Sequence, residues 1–146
     1  MAEKRFAADT KVPVDRTRSE LDQLLARHGA SQRGVYQDDD NSRAIVQFRM
    51  AGRVVRLAVK LPKLAKYPTA REEKRLEQEA RTAWRRLLLV VKAKLELVAD
   101  GTSSVEREFL ADILLPDGKT VHELLAPQLQ SSYANGKMPP LLGSGS

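Results

Sequence analysis

The chain contains no cysteine. Disulfides, thiolate metal sites and cysteine nucleophiles are thereby excluded, and the absence fits a reducing cytosol. Histidine is almost as scarce. The two, His28 and His122, fall at a helix end and a helix start in the sequence pattern, with no partner at metal-ligand spacing. Aromatic residues number seven, one Trp, three Tyr and three Phe, which leaves little material for stacking on bases. The longest apolar run, Leu87 to Val91, is far short of the about 20 residues that a membrane-spanning helix needs. The start, MAEKRFAADTKVP, has no apolar core of signal-peptide length. There is also no Walker loop, no GxGxxG and no HExxH. The expectation is a cytoplasmic protein without a membrane span, catalytic residues, metal or cofactor.

What is present begins with a long uninterrupted stretch, Arg71 to Val98, free of Gly and Pro and rich in strong helix formers. Leu76, Ala80, Trp84, Leu88, Val91, Leu95 and Val98 lie at three-four spacing on one face. At 1.5 Å per residue such a helix spans about 42 Å, a central post for the other elements. Leu87 to Val91 is apolar all round and should be buried on several sides. Thr69 is the expected N-cap, with Glu72 three residues on, and Gly101 the stop.

The clearest β pattern precedes it. Arg43 to Met50 and Arg53 to Leu61 alternate, with Ala51-Gly52 as a two-residue turn. Pairing Met50 with Arg53 puts Ala44, Val46, Phe48, Val55, Leu57 and Val59 on one side. Arg43, Ile45, Gln47, Arg49, Val54, Arg56, Ala58 and Lys60 then fall on the other. A shorter strand is expected over Arg33 to Gln37, ending in the turn Asp38-Asp39-Asp40-Asn41. That acidic run lacks the glycine and closing glutamate of a calcium loop and reads as a solvated turn.

The remaining elements are helical. One helix is expected to begin near Asp15, with Thr17 and Glu20 at capping-box spacing, Leu21, Leu24 and Leu25 as its apolar stripe, and Gly29 as its stop. A shorter one opens at Ser103 and Glu106, with Phe109, Leu110, Ile113 and Leu114 on its apolar face. After the turn Pro116-Asp117-Gly118-Lys119, Thr120 and Glu123 open a last helix that Pro127 should bend or divide and Asn135-Gly136 should close. The chain should thus be an α+β protein of order α-β-β-β-α-α-α: a three-stranded antiparallel sheet on a long helix, with Trp84 in the core. The single domain is expected over residues 13–136, with a mobile arm at 1–12 and an extended tail at 137–146.

The chain carries 25 Lys and Arg against 19 Asp and Glu, a net charge of +6. Seven of the cations, Arg43, Arg49, Arg53, Arg56, Lys60, Lys63 and Lys66, fall within 24 residues that contain no acid. Four of them, Arg43, Arg49, Arg56 and Lys60, occupy the outer side of the hairpin. Arg53 marks its turn, and Lys63 and Lys66 continue into the proline-bounded linker. Such a face is either an electrostatic footprint for phosphates or a solvated sheet face kept basic against edge pairing. Tyr36 and Tyr67 flank it and could stack on bases. The first reading makes the partner a nucleic acid, DNA or RNA, single- or double-stranded. A rival reading makes it an acidic protein surface, with the bent C-terminal helix and the tail 137–142, including Leu141 and Leu142, as a second docking element.

Two resemblances add context. The order α-β-β-β-α over residues 15–98 resembles the topology of double-stranded-RNA-binding domains, whose second helix and nearby loops contact the duplex by shape. The lysine-rich start of that second helix is diluted here by Glu72 and Glu73, and the C-terminal helices are additional. The stretches FLADILLPDGKTV at 109–121 and YANGKMPPLL at 133–142, with VPVDRTR at 12–18, resemble small uncharacterised phage and prophage proteins. That resemblance implies a phage setting inside a bacterial host. A phage protein of this size can work on nucleic acid or by occupying a host protein.

Overall fold

A computed structural model describes residues 7–63 and 65–138. The order is α1 (Val14–Arg27), β1 (Ser31–Asp38), β2 (Arg43–Met50), β3 (Arg53–Lys60), α2 (Ala70–Ala99), the one-turn helix α3 (Val105–Glu108), a 3-10 turn (Leu110–Asp112) and α4 (Val121–Asn135). The strands form one antiparallel sheet in the order β1-β2-β3. This is the α+β arrangement that the sequence pattern predicts. Of the expected arm and tail, residues 1–6 and the segment from Pro139 onward, with Leu141 and Leu142, lie outside the described residues.

The β2–β3 hairpin has the register read from the alternation, from Met50 opposite Arg53 to Arg43 opposite Lys60. Ala51 and Gly52 both take positive φ, 52° and 72°, the backbone that matches a tight turn to the twist of its strands. The inner side, Ala44, Val46, Phe48, Val55 and Leu57, is buried, with Val59 half-buried against the same core. α1 and α2 cover that side together. Leu21, Leu24 and Leu25 of α1 share one cluster with Trp84, Leu87, Leu88, Val91 and Leu95 of α2. Phe109 closes the hairpin end, its ring edge-on to Phe48 at 5.4 Å between centroids. Glu20 ties the two helices, accepting from Arg85 at 2.7 Å and pairing with Arg16 at 3.4 Å.

Several local expectations are corrected. Thr17 is not the N-cap of α1. Pro13 holds that position with extended backbone, and its fixed φ sets the chain's entry into the helix. Thr17 lies inside the helix, its hydroxyl buried with no hydrogen-bond partner among the described residues. β1 is longer than expected, continuing through an irregularity at Gln32, whose φ is 51°. In α2, Thr69 caps as expected by accepting from the Glu72 N–H, and Leu87, Leu88 and Val91 of the apolar girdle are buried as expected. Val90 is 43% exposed, because one side of α2 faces neither α1 nor the sheet. Ala8 and Thr10, within the expected arm, accept hydrogen bonds from α2. The Gln78 amide donates to the carbonyls of Ala8 and Thr10, and the Thr82 hydroxyl donates to that of Ala8.

The third helix is a single turn capped by Ser104, which accepts from Arg107 N–H, while Ser103 donates to the Glu108 carboxylate. Beyond it Leu110 is exposed, and Ile113 and Leu114 are extended rather than helical. Ile113 bridges to Val55, and Leu114 N–H donates to the Val54 carbonyl at 2.8 Å. The free edge of β3 has unpaired backbone groups, and pairing with them outweighs one more turn of helix. Thr120 and Glu123 form both arms of the capping box that starts α4. Pro127 does not divide α4, which runs unbroken to Gly136 in the left-handed conformation.

Asp112, at the end of the 3-10 turn, is half-buried. Burial raises its carboxyl above the ordinary range, against the opposing charges of Lys94 and His122. An acid raised in this way binds its proton more tightly folded than unfolded. The native state therefore carries a cost at neutral pH that fades as the pH falls through the carboxylate range. Asp112→Asn should melt above the wild type at pH 7, and the gap should close below about pH 4. Equal midpoints at neutral pH would show the carboxylate to be fully solvated.

Candidate nucleic-acid interface

With α1 and α2 on one side, the other side of the sheet presents its own side chains, bordered along β3 by the C-terminal segment. Three cross-strand rows follow from the register. Asp38, Arg43 and Lys60 form the first, Tyr36, Ile45 and Ala58 the second, and Gly34, Gln47 and Arg56 the third. Arg49 and Val54 lie beyond, next to the hairpin turn. The four outer-face cations read from the sequence are therefore on one surface, interrupted by an apolar row. Ile45 in that row is only 3% exposed although it faces away from the helices.

The structure sorts these cations by what they meet. Arg43 is paired with Asp38 at 3.1 Å, and hydrogen bonds from Asn41 and Arg43 hold that carboxyl below its ordinary range. Arg53 is paired with Glu106 at 3.2 Å. Arg56 donates to the carbonyl of Gly118 at 3.1 Å, so its charge is held in place without being neutralised by an ion pair. The Glu123 carboxyl, lowered chiefly by its backbone and side-chain bonds to Thr120, also feels the charges of Arg56 and Lys119. Arg49, Lys60 and Lys63 have no ion pair or hydrogen bond to their side chains among the described residues. Lys66 stands 5.8 Å from the ring of Tyr67 in the linker.

The acid-free stretch of sequence is thus not acid-free in space. Asp38 comes from the end of β1, and Glu106 and Glu123 come from the C-terminal helices. The same C-terminal segment builds a wall along the β3 edge. Ile113 to Pro116, with Gln47, Gly52, Arg53 and Val54, line a groove of about 670 Å³ beside the outer face. Neither the wall nor the three acids is signalled by the local pattern around the hairpin.

The two tyrosines separate. Tyr36 is on the edge strand β1, at one end of the middle cross-strand row of the outer face, and is 42% exposed. Tyr67 is almost fully exposed, but it lies in the linker beyond β3 rather than on the sheet. A third tyrosine, Tyr133, is 90% exposed on α4, a helix with no buried residue. Among the described residues no three His, Asp or Glu come together to hold a metal ion, and no helix is long and apolar enough to cross a membrane. Comparison with protein-family models, with curated proteins and with solved structures finds no match.

Proposed function

We propose that the chain is a non-enzymatic nucleic-acid-binding accessory protein that contacts phosphates through the outer face of its sheet. The observation that supports this reading is one surface carrying Arg49, Arg56 and Lys60, none of them in an ion pair among the described residues. Lys63 and Lys66 extend the positive charge past the end of β3. Arginine forks suit phosphate oxygens, and each phosphate neutralised releases counterions. The face presents mainly charges, so binding should depend little on base sequence. The resemblance of residues 109–121 and 133–142 to phage proteins supports a phage setting.

The test is a salt titration of binding to single- and double-stranded DNA and RNA. Three phosphates neutralised give a log–log slope of about −2.1 to −2.7, or a loss of roughly 20- to 40-fold between 50 and 200 mM salt. Absence of binding to all four ligands at low salt would overturn the reading.

One observation favours a protein partner instead. From Leu124 to Asn135 the chain reads LLAPQLQSSYAN, with no charge in a protein that is 30% charged. On that helix Leu129 is 58% exposed and Tyr133 more so. Such a surface has no attraction for phosphates and fits a protein, as the host-binding reading requires. Capture from nuclease-treated bacterial lysate tests it. A stoichiometric partner lost on Leu129→Lys/Tyr133→Lys supports it, and a partner retained by that variant sinks it.

A further inference from the structure

We propose that the outer face takes a single strand rather than a duplex, with Tyr36 as the platform on which an unpaired base stacks. The proposal rests on the nucleic-acid reading above and names the ligand class of that same face.

The argument begins with Tyr36 itself. It points outward from a sheet whose inner face is covered by helices, and it keeps 42% of its surface in water. Its ring lies against Gly34, two residues back on the same side. A Cβ added at Gly34 would stand 3.7 Å from the ring carbon Cδ1. On the partner strands its row continues with Ile45, which is buried, and Ala58, which is small and exposed. The row is therefore a low apolar strip with one aromatic ring at its β1 end, the shape of a floor for a flat heterocycle.

Cations flank that strip on both sides. Lys60 is in one neighbouring row and Arg56 in the other, each row about 6.6 Å away at two residues along a strand. Arg49 continues toward the hairpin turn. A base on the strip thus has positive charge to either side of it along the strand direction, as a sugar–phosphate chain passing over the sheet requires. Base–aromatic stacking tolerates any base, because each has a π face.

A duplex fits this surface badly. Its bases are already stacked on one another, so the Tyr36 ring would meet only phosphates and groove edges, and the apolar strip would be covered by charged groups. The surroundings add to this. Ile113 to Pro116 rise along the β3 side. Asp39 and Asp40 stand in the turn at the Lys60 end, with Asp38 already paired to Arg43. A flexible strand can pass between the wall and the acids, but a rigid rod with phosphates on two sides brings one set toward the carboxylates. Tyr36 could be present only to cover Ile45, and a leucine would do that equally well. Leucine has no π face, which makes it the discriminating substitution.

The experiment compares an oligothymidylate with its duplex to oligodeoxyadenylate at one salt concentration. Wild type should bind the single strand at least about tenfold more tightly. Tyr36→Leu should lose roughly 5- to 150-fold for the single strand, the equivalent of about 1–3 kcal/mol per stacked base. Its salt slope and duplex binding should stay unchanged, and Tyr36→Phe should keep the affinity. Photocrosslinking of an iodouracil-substituted strand to the wild-type protein gives a readout that needs no variant, and the crosslink should map to Tyr36. Duplex binding as tight as single-strand binding would overturn the proposal while leaving the nucleic-acid reading intact. So would a crosslink only at Tyr67 or Tyr133. Failure of both ligands to bind at low salt would instead remove the nucleic-acid reading, and the proposal with it.

Discussion

Replacing Trp84 with alanine should lower the melting midpoint by about 10–15 °C, the equivalent of roughly 3–5 kcal/mol for a protein of this size. Trp84 is fully buried and is the largest side chain in the core. The Arg18 guanidinium stands 5.5 Å from its ring centroid and donates to the Val35 carbonyl at 3.2 Å. One indole therefore backs the contacts among α1, α2 and β1, and a cavity there is felt by all three. The indole Nε1 is also buried with no acceptor among the described residues. Trp84→Phe removes that unsatisfied donor along with a smaller volume, so it should cost clearly less than the alanine variant. Urea and thermal melts followed by circular dichroism check both. An alanine variant melting within about 2 °C of wild type would remove Trp84 from the core.

The hairpin was legible in the sequence because two constraints agree there. A two-residue turn and a period-2 pattern on both sides leave one register, and any slip would turn Phe48 outward. The long helix was legible for a similar reason. Its stripe from Leu76 to Val98 lacks breakers, and Thr69 and Gly101 bound it. What failed depends on groups distant in the chain. Ile113 and Leu114 have helical spacing to Phe109 and Leu110, but the open edge of β3 draws their backbone into a bridge. Thr17 and Glu20 match a capping box, yet Pro13 starts the helix before them.

The candidate site divides along the same line. Which cations share a face follows from alternation alone, so Arg43, Arg49, Arg56 and Lys60 could be grouped from the sequence. Which of them keep an unpaired charge depends on partners brought in by the fold. Arg53 meets Glu106, and Arg56 meets Gly118, only because the C-terminal segment returns along β3. On α4, Leu124 and Leu125 are half-buried, whereas Leu129 in the second half of the helix is exposed.

The double variant Arg49→Gln/Lys60→Gln should lose roughly 25- to 60-fold in nucleic-acid affinity at about 0.1 M salt, with no change in fold. Each phosphate contact contributes about 0.7–0.9 to the log–log salt slope, so two lost contacts make it shallower by about 1.4–1.8. Extrapolated from the 1 M reference, the same slope gives that loss at 0.1 M. These two positions isolate the charge because neither side chain has an ion pair or hydrogen bond among the described residues. Arg56 is a poorer choice, since its bond to the Gly118 carbonyl steadies the turn along the β3 edge. The matched control is Arg53→Gln/Glu106→Gln, which removes both partners of an ion pair and leaves the net charge as it was. Its salt slope should equal that of wild type. Melting midpoints of both variants within about 2 °C of wild type would confirm that folding is untouched, as expected for exposed substitutions. A wild-type slope in the Arg49/Lys60 variant would move the phosphate contacts off the sheet face altogether.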